Sequence, residues 1–186
     1  MADMINLIIL SALLMFFITL FLIGFMGAGK STIGKKLAHR LGLTFFDLDK
    51  LIEAKAGCSI SDIFKFLGET AFREMEQACL QTFQTKDHFL LACGGGTPCF
   101  FDNLGFMKNK GLVVYVNLQE SVLFERLSKA KKIRPSIVGM DEKQLKEFIS
   151  TQLKARMPFY EQADLSMSGL SINVNGIVEQ IAQFAH

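Results

Sequence analysis

The residues with the most specific chemistry are Gly24-Phe25-Met26-Gly27-Ala28-Gly29-Lys30-Ser31, which satisfy the spacing G-x-x-x-x-G-K-[ST]. Glycines at these positions let main-chain N–H groups form a concave nest for phosphate, and a helix beginning near Lys30 adds its positive end. The Lys30 ammonium is placed to bridge outer phosphates, and the Ser31 hydroxyl to ligate magnesium. A dinucleotide fingerprint is excluded because Thr32 stands where its third glycine belongs. Guanine specificity is excluded as well. The nearest approach to N-K-x-D is Asn109-Lys110-Gly111-Leu112, which lacks the acid, and the D-x-x-G match from Asp102 to Gly105 is a common chance string.

Four further groups are candidates. Asp47 and Asp49 close a strand-like run, and their carboxylates are expected on opposite sides of the sheet edge, one toward magnesium and one toward a substrate hydroxyl. A helical stretch from Lys50 to Ala56 makes Asp49 also a candidate N-cap. Gly94-Gly95-Gly96 follows another strand-like run and allows a ligand close access to the main chain. Arg73 and Glu76, three residues apart, read from spacing alone as an ordinary surface pair. Arg134 and Arg156 read alone as solvated charges, the second before a helix end at Pro158.

Strand-like runs at residues 19–23, 44–47, 89–93, 112–117 and 165–167 alternate with helical patterns such as 31–43, 119–128 and 142–157. This order predicts an α/β fold, a three-layer α/β/α sandwich around a parallel sheet of about five strands. Residues 129–141 are polar, basic and interrupted by Pro135, as in a mobile loop. The length of 186 residues allows one domain, and a net charge of +2 without a basic tract gives no electrostatic case for a nucleic-acid partner. Four cysteines without a C-x-x-C pair and three histidines make zinc improbable. Free thiols in the cytoplasm are expected, with Cys93 and Cys99, beside the glycine run, open to oxidation.

The mean hydropathy of +0.31 is high. The surplus lies at the N-terminus, where only Asp3, Asn6, Ser11 and Thr19 are polar among residues 1–23. Once residues 19–23 feed the phosphate loop as a strand, what remains is short for a membrane span of roughly 20 residues. Within a hydrophobic N-terminal extension of residues 1–18, residues 1–14 are expected to be non-native or unordered, with Met15 as initiator. A short hydrophobic helix packed on the domain and a peripheral membrane anchor are the alternatives.

The phosphate loop, Phe46-Asp47-Leu48-Asp49, Phe72-Arg73-x-x-Glu76, the triple glycine, Arg134-Pro135 and Arg156-x-x-x-Tyr160 together resemble the shikimate kinases in content and order. The resemblance covers residues 19–185 and implies ATP-dependent phosphorylation of the 3-hydroxyl of shikimate, with Mg2+, by a monomer. By that likeness, Gly27, Ala28, Gly29, Lys30, Ser31, Thr32 and Arg134 would bind ATP, with Arg134 on a lid spanning 129–141. Ser31 and Asp47 would hold the metal, and Asp49, Arg73, Gly94, Gly95, Gly96 and Arg156 would bind shikimate. Lys30, Asp49 and Arg134 would be catalytic. The stretch from Ser128 to Ile133 carries lysines where the family usually has a further arginine. A gluconate kinase-like enzyme and a silent ATP-binding module are the competing readings.

Overall fold

A computed structural model describes residues 18–83, 88–130, 135–168 and 174–184. Residues 1–17 of the N-terminal extension lie outside the described residues, as do Arg134 and the three residues before it. Among the described residues, no helix is long and apolar enough to cross a membrane.

The chain runs β1 (Leu20–Ile23), α1 (Lys30–Leu41), β2 (Thr44–Asp47), α2 (Leu48–Ala56), α3 (Ile60–Phe66), α4 (Gly68–Leu80) and β3 (Phe89–Ala92). It continues through a 3-10 turn at Thr97–Cys99, α5 (Asn103–Lys110), β4 (Leu112–Asn117), α6 (Glu120–Ser128), a second 3-10 turn at Pro135–Ile137, α7 (Glu142–Tyr160), β5 (Leu165–Ser168) and α8 (Val174–Phe184). The five strands form one parallel sheet in the order β2-β3-β1-β4-β5. All five fall where the sequence places them, and the sheet is flanked by helices as expected of an α/β fold.

The unbroken apolar run of β1 suits a strand buried on both faces. It lies at the centre of the sheet, Leu20 in register with Leu90 on one side and Leu112 on the other, and Leu20–Ile23 are fully buried. Ile18 already packs in the same core. In a parallel sheet all strands end on the same edge, so β1 delivers the phosphate loop, β2 delivers Asp47 and β3 delivers the glycine run to one crevice.

Two local expectations are corrected. The helix after β2 begins at Leu48 rather than Lys50, and its N-cap is Asp47, whose side chain accepts from the Lys50 N–H; Asp49 lies in the first turn. Both carboxylates face the same crevice, not opposite sides; residues two apart in a strand would already share a face, and here the chain turns into helix directly after Asp47. Helix α7 does not stop before Pro158 but runs to Tyr160. It starts with a capping box between Asp141 and Gln144, and its end is held by the burial of Tyr160.

Helix α1 approaches the sheet closely at Gly34, where an added Cβ would lie 2.6 Å from Phe45 Cε2, 3.0 Å from Leu90 Cδ2 and 3.1 Å from Leu22 Cδ1. In an exposed helix, replacing glycine by alanine gains about 1 kcal/mol. Here overpacking outweighs that gain, and Gly34→Ala is expected to destabilise the fold by about 1–2 kcal/mol net, measured as a lowered urea midpoint at unchanged m-value.

Candidate active site

The phosphate loop spans the turn from β1 to α1. Gly24 has φ +137°, and an added Cβ would sit 2.6 Å from the Val116 carbonyl oxygen of the neighbouring strand. Gly29, at φ +93°, is the N-cap of α1, where the chain reverses to present N–H groups to the loop. Lys30 is buried at 8% exposure, and its Nζ donates to the carbonyls of Gly24 at 2.6 Å and Phe25 at 3.0 Å. Ser31 Oγ donates to Asp47 Oδ2 at 2.6 Å. The Asp47 carboxylate thus caps α2 with one oxygen and meets the start of α1 with the other.

Two adjoining cavities open at this edge. The smaller, of about 130 Å³, is lined by Gly29, Lys30, Ser31 and Thr32 together with Asp47 and Asp49. The larger, of about 390 Å³, is lined on its polar side by Asp49, Arg73, Glu76 and Arg156 and on its apolar side by Phe64 and Phe148. Asp47, Asp49, Gly94 and Gly95 line both, so a group in one cavity faces a group in the other across these four residues.

Arg73 and Glu76 are not a surface pair. Helix α4 turns them inward, leaving Arg73 8% and Glu76 0% exposed. Arg73 Nη1 donates to Glu76 Oε2 at 2.8 Å, while Nε and Nη2 donate to Glu69 Oε1 at 3.2 and 3.0 Å. The guanidinium lies over the Phe100 ring at 4.1 Å. Three of its five N–H groups are engaged by these acids, which leaves one on each terminal nitrogen to form a fork for a ligand carboxylate. Glu76 also accepts from the Thr97 hydroxyl at 2.6 Å. Burial pushes its carboxyl above the usual range, against the lowering effect of Arg73 and the Thr97 hydrogen bond.

Arg156, on α7, bonds Gln152 Oε1 at 2.9 Å and lies over the Phe25 ring at 5.4 Å. Close by, Tyr160 donates its hydroxyl to the Gly95 carbonyl and stacks on Tyr115 at 5.0 Å. Cys93 and Cys99 are held as neutral thiols. Burial pushes both up, Cys99 to about 11 and Cys93 further, which counters the expectation that they are open to oxidation.

The structure brings Lys30, Ser31, Thr32, Asp47, Asp49, Arg73, Arg156 and the three glycines to one crevice. Gly27 and Ala28 lie in the same loop, and Arg134 lies outside the described residues. Sequence reasoning missed Arg126, whose Nη1 donates to the carbonyls of Ala28 at 3.1 Å and Gly27 at 3.4 Å. Nothing in the helical pattern of residues 119–128 marks it out. It also missed the site roles of Glu69, Phe100 and Tyr160. The spacing of Glu76 was visible, but not its burial.

A phosphate nest at the central strand, sharing two carboxylates with a cation-lined cavity of small-molecule size, defines a phosphotransferase of the phosphate-loop class. Comparison with known proteins narrows the class. The family profile described as shikimate kinase matches residues 26–186. A shikimate kinase of Parabacteroides distasonis is 40% identical over 162 residues, 87% of this chain and 94% of the relative. The crystal structure of the shikimate kinase from Bacteroides thetaiotaomicron superposes with a TM-score of 0.82 at 36% identity, covering 90% of this chain and 97% of the other. The solved structure of the Acinetobacter baumannii shikimate kinase in complex with shikimate gives a TM-score of 0.77 at 32% identity, over 89% of this chain and 91% of the other. The chain belongs to the shikimate kinase family.

Removing one member of a buried ion pair strands the other. Glu76→Ala is expected to lower stability by about 3–5 kcal/mol, measured by urea unfolding, because Arg73 and the Thr97 hydroxyl both lose their buried acceptor.

Proposed function

We propose that this enzyme transfers the γ-phosphoryl group of ATP to the 3-hydroxyl of shikimate, giving shikimate 3-phosphate and ADP. The observation that carries the reading is the junction of the two cavities. A nucleotide phosphate on the Lys30 loop and a hydroxyl in the cation-lined cavity meet at Asp47, Asp49 and the glycine run. A compact acid with a carboxylate at one end and hydroxyls at the other matches the second cavity, which has guanidinium groups from Arg73 and Arg156 and a carboxylate from Asp49 facing the phosphate side.

Asp49 is assigned to hold the attacking hydroxyl and accept its proton as the oxygen bonds to the γ-phosphorus and the bond to the bridging oxygen breaks, releasing ADP. Lys30 leaves the loop carbonyls to neutralise charge on the β- and γ-phosphates, Gly27 to Thr32 present main-chain N–H groups, and Arg134 is assigned, by likeness to the family, to supply a second cation to the phosphates. Ser31 Oγ and Asp47 Oδ2, 2.6 Å apart beside the loop, are hard oxygen donors that fit Mg2+ with few protein ligands and the remaining positions left to phosphate and water. Bound there, the ion supplies charge neutralisation on the transferred group. Arg73 and Arg156 orient the substrate through its carboxylate.

The decisive measurement is ADP release in a coupled assay. Release that depends on shikimate and not on gluconate is expected; ADP release indifferent to shikimate, or none at all, would reject the reading. Asp49→Asn is expected to lower kcat by about 10²-fold or more with the ATP KM little changed, as for loss of a general base. Arg156→Lys is expected to raise the shikimate KM about ten-fold through loss of planar, bidentate recognition, with a smaller effect on kcat. Similar small effects of both substitutions on both parameters would contradict these roles.

A further inference from the structure

Of the segment 129–141, the reaction as described uses only Arg134 and leaves without a role the turn that follows it and roofs the larger cavity. The turn Pro135–Ile137 lies over it and packs against α3. Ile137 is buried at 7% exposure and seats the turn in the core. This anchoring brings Ser136 to the wall of the cavity that Met26, Phe148, Gln152 and Arg156 also line. The Ser136 hydroxyl meets the thioether of Met26 at 3.9 Å. A thioether is a weak acceptor, so the hydroxyl retains nearly all its donor capacity for something in the cavity. Its surroundings say which part of a ligand it faces. An added Cβ at Gly95 would lie 3.1 Å from Met26 N and 3.3 Å from Arg156 Nη1, so the main chain of Met26 and the guanidinium flank Gly95 on the wall of the cavity that Ser136 also lines.

We propose that Ser136 is a substrate-contacting, specificity-determining residue whose hydroxyl donates a hydrogen bond to an oxygen of the bound acid on the side held by Arg156. This rests on the shikimate reading of the cavity and deepens it, adding to the two charged groups a neutral donor carried by the roof. The other hydroxyl lining the cavity, that of Ser61, comes from α3. Thr97 is already committed to Glu76.

Threonine and valine have the same shape and differ in the hydroxyl, so Ser136→Thr and Ser136→Val separate a hydrogen bond from packing of the roof. The expected result is a shikimate KM about three- to ten-fold higher in Ser136→Val than in Ser136→Thr, the range for loss of one neutral hydrogen bond, with ATP KM equal in the two variants. Equal shikimate KM values in the pair, or a parallel rise in ATP KM in the valine variant, would overturn the proposal. Wild-type enzyme without shikimate-dependent ADP release would overturn the underlying reading and this inference together. An active wild type with an indifferent Thr/Val pair would overturn the inference alone.

Discussion

The substrate side of this enzyme is organised around a carboxylate with no access to water. Glu76 is wholly buried, and a carboxylate in that position is tolerated only when its lone pairs are met. Arg73 meets one oxygen and Thr97 the other, and the Thr97 carbonyl is in turn held by the Asn103 side chain at 3.0 Å. These demands fix the glycine run. A Cβ at Gly94 would lie 2.6 Å from Glu76 Oε1, and one at Gly96 2.7 Å from Arg73 Nη2. The glycines serve as much to make room for the buried ion pair as to admit a ligand. Arg73 is thereby presented to the cavity with its orientation already set by interactions that do not depend on substrate.

On the phosphate side the corresponding junction is the Ser31–Asp47 contact, which ties the first turn of α1 to the end of β2 and the start of α2. The parallel sheet makes both junctions possible. Strands β1, β2 and β3 are neighbours whose ends lie level, so residues distant in sequence meet without a long loop to carry them. Preorganisation of this kind is the main resource of phosphoryl transfer, in which the protein contributes chiefly position and charge.

The fold was legible because its signals are local. Strands β1, β3 and β4 are short, largely apolar runs, and the turns after β1, β2 and β3 at the active edge carry glycine or aspartate. The phosphate loop was legible for the same reason, since its residues are consecutive and its geometry belongs to the backbone. What escaped depends on burial and on contacts between elements. Arg73–Glu76 has the spacing of a surface pair, and only the packing of α4 under the glycine run makes it a core feature. Arg126 is one charge among several on α6 until the helix is seen to lie against the loop carbonyls. The reach of α7 past Pro158 was hidden because proline reads as a stop, whereas the anchoring of Tyr160 outweighs the hydrogen bond that proline removes.

Helix α7 gives the site a mechanical character. It is 19 residues long, about 28 Å at the usual rise per residue. Its capped N-terminus lies a few residues beyond the roof turn, and its last residue is bonded to Gly95, at the floor. Roof and floor of the cavity are therefore attached to the two ends of one rod, with Arg156 fixed on its last turns. The helix thus couples the cover, the Arg156 guanidinium and the glycine loop through one element, opposite the wall that Asp49, Phe64 and Arg73 build from three other helices.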